Sequence, residues 1–308
     1  MSAASVAAGA AQVGGGLLLA PLLPGLVQHL KARLQGRRGP SPLQPYRELR
    51  RLWGKSTVTV EGTSAVYRLA PAVAAAALVT AVLLVPATAQ GPGLGVGHDV
   101  LALAGLLALA RFAVATAAWD TANGFALMGA SRDLMISVFV EITLVLAVGV
   151  AALTAGSTDL TAIIAATAGP QPWSSPVLAL GAAAFALVVV AETGRQPVDN
   201  PDTHLELTMI HEGPLLEYAG RDLAYLQWAA AARHWVVLVV GAEVFVPHPT
   251  SPWAQLATLP VVLAALGAGL ALVETMVAKM RILRVPRFLA TGALVAGLGI
   301  TVRLAGLA

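Results

Sequence analysis

The chain has 308 residues, 57% hydrophobic and 11% charged, with a formal net charge of +3 and a mean hydropathy of +0.76. Soluble domains carry about 25% charged residues, so a chain this poor in charge cannot clothe a water-facing surface and reads as an integral membrane protein. The absence of cysteine excludes cysteine-ligated iron–sulfur clusters, zinc ribbons, disulfides and thiol catalysis within it.

A spanning helix takes about 20 predominantly apolar residues. Eight stretches qualify, at roughly 6–29, 66–88, 99–118, 132–155, 174–192, 223–246, 253–278 and 288–307. The chain is therefore expected to be an all-α, polytopic single membrane domain over 1–308. The opening "MSAASVAAGAAQVGGG" lacks the basic n-region of a signal peptide, so the first stretch is expected to be a mature span.

Between spans 1 and 2 stand Lys31, Arg33, Arg37, Arg38, Arg47, Arg50, Arg51 and Lys55. Within that loop, Leu43, Tyr46, Leu49 and Trp53 recur every three or four residues, with basic residues between them. This spacing predicts a short amphipathic helix at the membrane surface. Arg37, Arg38, Arg47, Arg50, Arg51 and Trp53 are its candidate lipid or partner contacts. A plain anchoring loop and a docking surface both fit.

Arg111 lies within span 3 and Glu141 within span 4, at similar depths, so the two are a candidate pair. Ionisable groups inside a membrane are costly and are functional candidates by default. The reading leaves a structural ion pair and a proton relay equally open. "GPGLGVG" at 91–97 follows no strand and is no nucleotide fingerprint.

Span 5 ends at Glu192, and an interruption follows: "ETGRQPVDNPDTHLELTMIHEGPLLEYAGRD". Pro197 and Pro201 break the helix, and "NPDTHLEL" carries Asn200, Pro201, Thr203 and Glu206 at helix-start spacing. His204 and His211 are seven apart, on one face of a helix if it continues, but the spacing is not that of a zinc motif and no metal site is expected. Arg233, His234 and Glu243 follow in span 6 and Glu274 in span 7, so Glu243 and Glu274 are secondary channel candidates. Lys279, Arg281, Arg284 and Arg287 close the last loop before span 8.

The loops near 89–98, 156–173 and 247–252 contain no Lys or Arg, whereas those at 30–65, 193–222 and 279–287 are basic. The positive-inside rule then places 30–65, 119–131, 193–222 and 279–287 in the cytoplasm and both termini outside.

The interruption resembles the signature loop of the subunit 1 family of NADH–quinone oxidoreductase, respiratory complex I. The matching residues are Glu192-Thr193, Arg195, Pro197, Asp199, Glu206, Glu212 and Glu217-Tyr218-Ala219-Gly220. "RLQGRRGPSPLQPYRELRRLWGKSTV", "RFAVATAAWDTANGFALMGASRDLMISVFVE" and "VETMVAKMRILRVPRFL" extend the likeness. Val198 before the Asp, "DNPDTHLELTMIHE" and "AKMRILRVPR" look more like the hydrogenase branch, the formate hydrogenlyase subunit 4 and hydrogenase-4 component C proteins.

The resemblance implies a non-catalytic membrane anchor of a group 4 nickel–iron hydrogenase-like complex, itself binding no cofactor. Its implied partners are soluble hydrogenase-like large and small subunits, an iron–sulfur subunit and antiporter-like membrane subunits. Iron–sulfur clusters, with or without a nickel–iron centre, would sit in those partners. By the same likeness Glu141, Glu192, Glu206, Glu212 and Glu217, with Arg111, line a proton or sodium channel, while Arg195, Asp199 and Tyr218 order the loop. Membership of complex I with a quinone site is the alternative. A stand-alone ion transporter fits less well, because the chain shows no pair of matching halves.

Overall fold

The computed structural model describes residues 12–88, 97–200 and 210–306. Eleven α-helices occur among them: α1 Gln12–Leu19, α2 Leu22–Leu34, α3 Gln44–Trp53, α4 Ala65–Leu84, α5 Val100–Asp120, α6 Gly124–Ala155, α7 Leu160–Thr167, α8 Pro176–Glu192, α9 Gly220–Phe245, α10 Pro252–Met276 and α11 Val285–Leu304. No strand is present among the described residues, where Asp99 and Asp159 make an isolated bridge.

Six helices (α4, α5, α6, α9, α10 and α11) are long and apolar enough to cross a membrane, and α1 with α2 makes a seventh if that bent pair is one span. The remaining predicted stretch is α8, whose 17 residues rise about 26 Å, near the lower limit for spanning. The first span is not straight. Its two halves meet at 46°, where Pro21 and Pro24 remove two backbone donors from the helical ladder.

Local chemistry explains where several helices begin. Ser64, Asp99, Asn123, Asp159 and Ser175 each accept backbone N–H bonds from the first turn that follows. The Asp159 cap starts α7, a short helix inside the loop expected at 156–173. The loop expected at 119–131 is a correction: α6 begins at Gly124, and the turn is only residues 121–123. Nothing in 124–131 breaks a helix, and Asn123 supplies the cap.

α9 is the most enclosed of the long helices, while α10 and α11 leave most of their surface uncovered by the chain. The connections 54–64, 121–123, 193–219 and 277–284 meet at one end of the bundle. There Tyr67 Oη donates to the Glu217 carbonyl, Asn123 Nδ2 to the Glu217 carboxylate, and the Met280 N–H to the Pro197 carbonyl. This is the basic end.

The surface helix is real but is held by protein. The Tyr46 hydroxyl donates to the Leu18 carbonyl, Leu52 is buried, and Trp53 meets Tyr225 of α9 edge-on at 5.1 Å. Arg37, Arg38, Arg47, Arg50 and Arg51 are exposed.

Candidate functional site

A cavity of about 730 Å³ is lined by α2, α3, α4, α5 and α9 and by residues between 193 and 200 and between 211 and 218 of the connection that follows α8. Its lining is mixed, with Leu49, Leu78 and Leu226 beside Arg111, Asp133 and His211. Such a volume lies in the range of roughly 300–1,000 Å³ found for small-molecule sites.

Charged groups from six segments form a connected chain, and all of them but Lys279 line the cavity. Lys279 Nζ donates to Asp199 Oδ1 at 3.2 Å. Asp199 Oδ2 accepts the N–H groups of Ile210 and His211 and lies 3.0 Å from His211 Nδ1. His211 Nε2 stands 3.7 Å from Asp133 Oδ1, and Asp133 Oδ2 stands 3.5 Å from Arg111 Nε. Arg111 Nη2 then reaches Glu192 Oε2 at 3.1 Å. The same oxygen takes Arg233 Nη1 at 3.0 Å, while Arg233 Nη2 donates to the Leu107 carbonyl.

Glu192, Arg111, Asp133 and Asp199 are all buried. Buried ions persist only when each is paired and hydrogen-bonded, because desolvation outweighs a poor contact. The alternation of sign gives each of these groups an opposite charge within 4 Å, with hydrogen bonds at Glu192 and Asp199 and longer approaches at Asp133.

A second cluster ties the loop to other helices. Glu274 of α10 is buried between Arg195 at 3.2 Å and Lys31 of α2 at 3.7 Å. Glu243 lies at the opposite end of the bundle, where Gln255 Nε2 donates to its carboxylate. Three contacts pin the loop itself. Tyr218 stacks on Tyr67 at 4.4 Å with planes 6° apart, and its hydroxyl donates to the Tyr67 carbonyl. Gly213 lies flat against Gly129 of α6, where a Cβ on Gly129 would stand 2.8 Å from Gly213 Cα.

Residues 10–304 match the profile of the NADH dehydrogenase family. The chain belongs to the NADH dehydrogenase family. Formate hydrogenlyase subunit 4 of Escherichia coli (strain K12) is 36% identical over 283 residues, covering 87% of this chain and 89% of that protein. Hydrogenase-4 component C of the same organism is 35% identical over 246 residues, covering 79% and 76%. An NADH-quinone oxidoreductase subunit of Rhodopseudomonas palustris (strain BisB5) is 28% identical over 249 residues, covering 77% and 75%. A chain in the structure of the membrane-bound sulfane sulfur reductase, an archaeal respiratory membrane complex, shares the fold with a TM-score of 0.83. It is 20% identical, over 97% of this chain and 99% of that one. The resemblance read from the 192–222 interruption is borne out, with the hydrogenase-type relatives more similar than the NADH-quinone one.

In this NADH dehydrogenase family chain the residues singled out by sequence fall in different places. Arg111 and Glu192 meet at the centre of the charged chain. The expected pairing of Arg111 with Glu141 is corrected: the ion pairs of Arg111 go to Glu192 and Asp133. Because the α5–α6 turn is short, Arg111 is nine residues before Asp120 and Asp133 is nine after Gly124. These two therefore stand level in the hairpin. Glu141 lies two turns further along α6, half-buried.

Glu212 is exposed at the cavity rim, and Glu217 is engaged by Asn123. Glu206, His204 and the helix start read at "NPDTHLEL" fall within residues 201–209, outside the described residues. His211 stands in a bend rather than on a helix.

Asp133, Lys279, Lys31 and Arg233 were not among the sequence-derived site residues. Asp133 was hidden because the span seemed to begin at Arg132. Arg233 was visible as a mid-span cation, but its partner Glu192 is 41 residues away.

The His211–Asp199 contact sets a pH window. Burial alone would raise the Asp199 carboxyl, but the hydrogen bond and charge of His211 and the charge of Lys279 bring it down to about 2. Burial alone would lower His211, and Asp199 with Asp133 reverses this, so its pKa is raised. Asp199 therefore stabilises the fold above its unfolded pKa of about 3.9, and this is lost as pH falls toward about 2. His211 stabilises fully below about 6.5, and its contribution is lost as pH rises through its raised folded pKa. The thermal midpoint in detergent is expected to plateau between about pH 4 and 6.5 and decline above it. In the H211Q variant the decline on the alkaline side disappears. A decline of the same size in both proteins would refute this assignment.

Proposed function

We propose that this chain is the membrane anchor and coupling subunit of a group 4 nickel–iron hydrogenase or formate hydrogenlyase-like complex in a bacterial or archaeal plasma membrane. The observation that carries the reading is the series of acidic and basic side chains, each within 4 Å of the next, from a loop cavity at the basic end to Glu192 and Arg233 inside the bundle. The hydrogenase-type relatives support the branch.

In this reading the basic end faces the cytoplasm and both termini lie outside. Soluble subunits carrying iron–sulfur clusters, and a hydrogenase-like large subunit, dock over the 193–222 connection and the arginines of α3. Antiporter-like subunits lie alongside in the membrane. Electron transfer in the docked arm changes the charge near the cavity. The half-buried Glu141 and the buried Glu192, with the loop acids Glu206, Glu212 and Glu217, pass the response inward as proton or sodium movement. Arg111 balances the charge of the deep acids. No redox centre belongs to this chain, whose part is to fix the arm and hold the ion path.

The cavity volume and the NADH-quinone relative favour a second reading, in which the same space receives a quinone within a complex I.

Gentle detergent purification of the tagged protein, with mass spectrometry and metal analysis, separates these. Co-purification with a nickel- and iron–sulfur-containing assembly is expected. Flavin- and NADH-binding partners would move the chain to the second reading, and a protein that purifies alone, folded and stable, would overturn both. Within the assembly, Glu141→Gln is expected to leave electron transfer intact and to reduce ion translocation by about tenfold or more, as loss of a positioned proton carrier does. Unchanged translocation in that variant would remove the channel.

A further inference from the structure

We infer that His211 is the proton relay joining the cavity to the buried ion-pair chain, an assignment that rests on the coupling function proposed above. The Lys and Arg members of the chain cannot perform this step. Arginine does not deprotonate in proteins, and Lys279 stands beside Asp199, the outermost acid. Four groups remain that can take up and release a proton: Asp199, His211, Asp133 and Glu192. Of these, only His211 contacts acids on two different segments, Asp199 in the loop and Asp133 on α6. It is also the most accessible of the four, its side chain 28% exposed against 13% for Asp133, 8% for Asp199 and 1% for Glu192.

Its two ring nitrogens are not equivalent. Nδ1 is held at 3.0 Å from Asp199 Oδ2. Nε2, the nitrogen not held by Asp199, belongs to a ring that lines the cavity and stands 3.7 Å from Asp133 Oδ1, beyond direct hydrogen-bond length and therefore the open link in the chain. The surrounding charges are Asp199 and Lys279 from the loops, Asp133 from α6, Arg111 from α5 and Glu192 from α8. The backbone leaves room for the ring. Gly194 adopts φ +61°, and a Cβ there would stand 3.1 Å from His211 Nδ1.

The step balances simply. A neutral imidazole, its hydrogen on Nδ1 and directed at Asp199, takes a hydrated proton from the cavity at Nε2. A new N–H bond forms, and the imidazolium charge lies between two carboxylates. Release to Asp133 Oδ1, once the charged ring has closed the 3.7 Å gap to hydrogen-bond distance, breaks that N–H bond, forms an O–H bond and restores the neutral ring. Asp133 is then uncharged, and Arg111 keeps Glu192 as its one charged partner. Uptake of a proton at the cavity is thereby converted into a rebalancing of the buried pairs. Histidine suits the task because its charge changes near neutral pH and the ring offers a donor and an acceptor at once.

The test uses the complete complex in sealed vesicles, measuring electron turnover and protons moved per electron from about pH 5 to about pH 8. In H211Q, electron turnover is expected to stay within about twofold while proton movement falls at least about tenfold and its pH inflection disappears. In H211G, added imidazole is expected to restore part of the lost proton movement, which a purely structural histidine would not allow. The assignment is overturned if H211Q moves protons as the unaltered complex does, or if imidazole leaves an assembled H211G complex unchanged. Loss of proton movement in E141Q beside normal movement in H211Q overturns the relay alone. No proton movement in the unaltered complex, with electrons still flowing, overturns the coupling function and the relay together.

Discussion

Replacement of Glu192 by leucine is expected to destabilise the protein by about 3–5 kcal/mol, the scale seen when one partner of a buried ion pair is removed. One carboxylate oxygen serves both Arg111 and Arg233. Without it, Arg111 retains Asp133, but Arg233 retains among the described residues only the Leu107 carbonyl. A largely enclosed guanidinium cannot shed its proton to escape the penalty. The thermal midpoint in detergent is expected to fall on the order of 10 °C. Glu192→Gln keeps an acceptor and falls between the two. The double variant Glu192→Leu with Arg233→Met is expected to recover part of the loss, since removing both partners leaves less charge stranded. A fall smaller than about 2 °C in the single leucine variant would show that the pair carries no such load.

The second large effect is expected at Gly129, where alanine should destabilise by about 1–3 kcal/mol and weaken coupling together. The added Cβ would stand 2.8 Å from Gly213 Cα, 2.9 Å from Pro214 Cδ and 3.1 Å from Gly213 C. These are main-chain and ring atoms that cannot rotate aside, so the loop itself must lift from α6. His211 is two residues before Gly213, and its 3.7 Å approach to Asp133 lengthens with it. A control lies on the same helix. Gly149 has nothing within 4 Å of its missing Cβ, and alanine there is expected to be neutral or to stabilise by about 0.5–1 kcal/mol through helix propensity. Equal melting and equal coupling in the two variants would remove the significance of the Gly129–Gly213 contact.

Much of this architecture was legible because it is encoded locally. Six of the apolar helices are long enough to cross a bilayer by themselves, and caps such as Asp99 and Asn123 lie directly before the helices they start. The deep ionisable residues stood out against an apolar background, so Arg111, Glu192 and Arg233 were visible as unusual before any fold was known. The 192–222 interruption was legible as a functional segment and as a family signature for the same reason. Its acids, histidines and prolines have no place within a span.

The partners of those residues were not legible. Arg111 was matched with Glu141 by depth, and the match failed because the α5–α6 turn is three residues long rather than thirteen. That shift moved Asp133 from a presumed loop edge to the level of Arg111. Glu274 was read as a secondary channel candidate with no partner named, and it is clamped by Lys31, which lies more than two hundred residues away in sequence. Spans, caps and membrane class follow from the sequence because hydrophobicity and first-turn hydrogen bonds act over a few neighbouring residues. Which acid neutralises which base, and which end of the bundle holds the cavity, follows only from the packed structure. There, helices distant in sequence bring their charges within 4 Å, and desolvation makes each pairing obligatory.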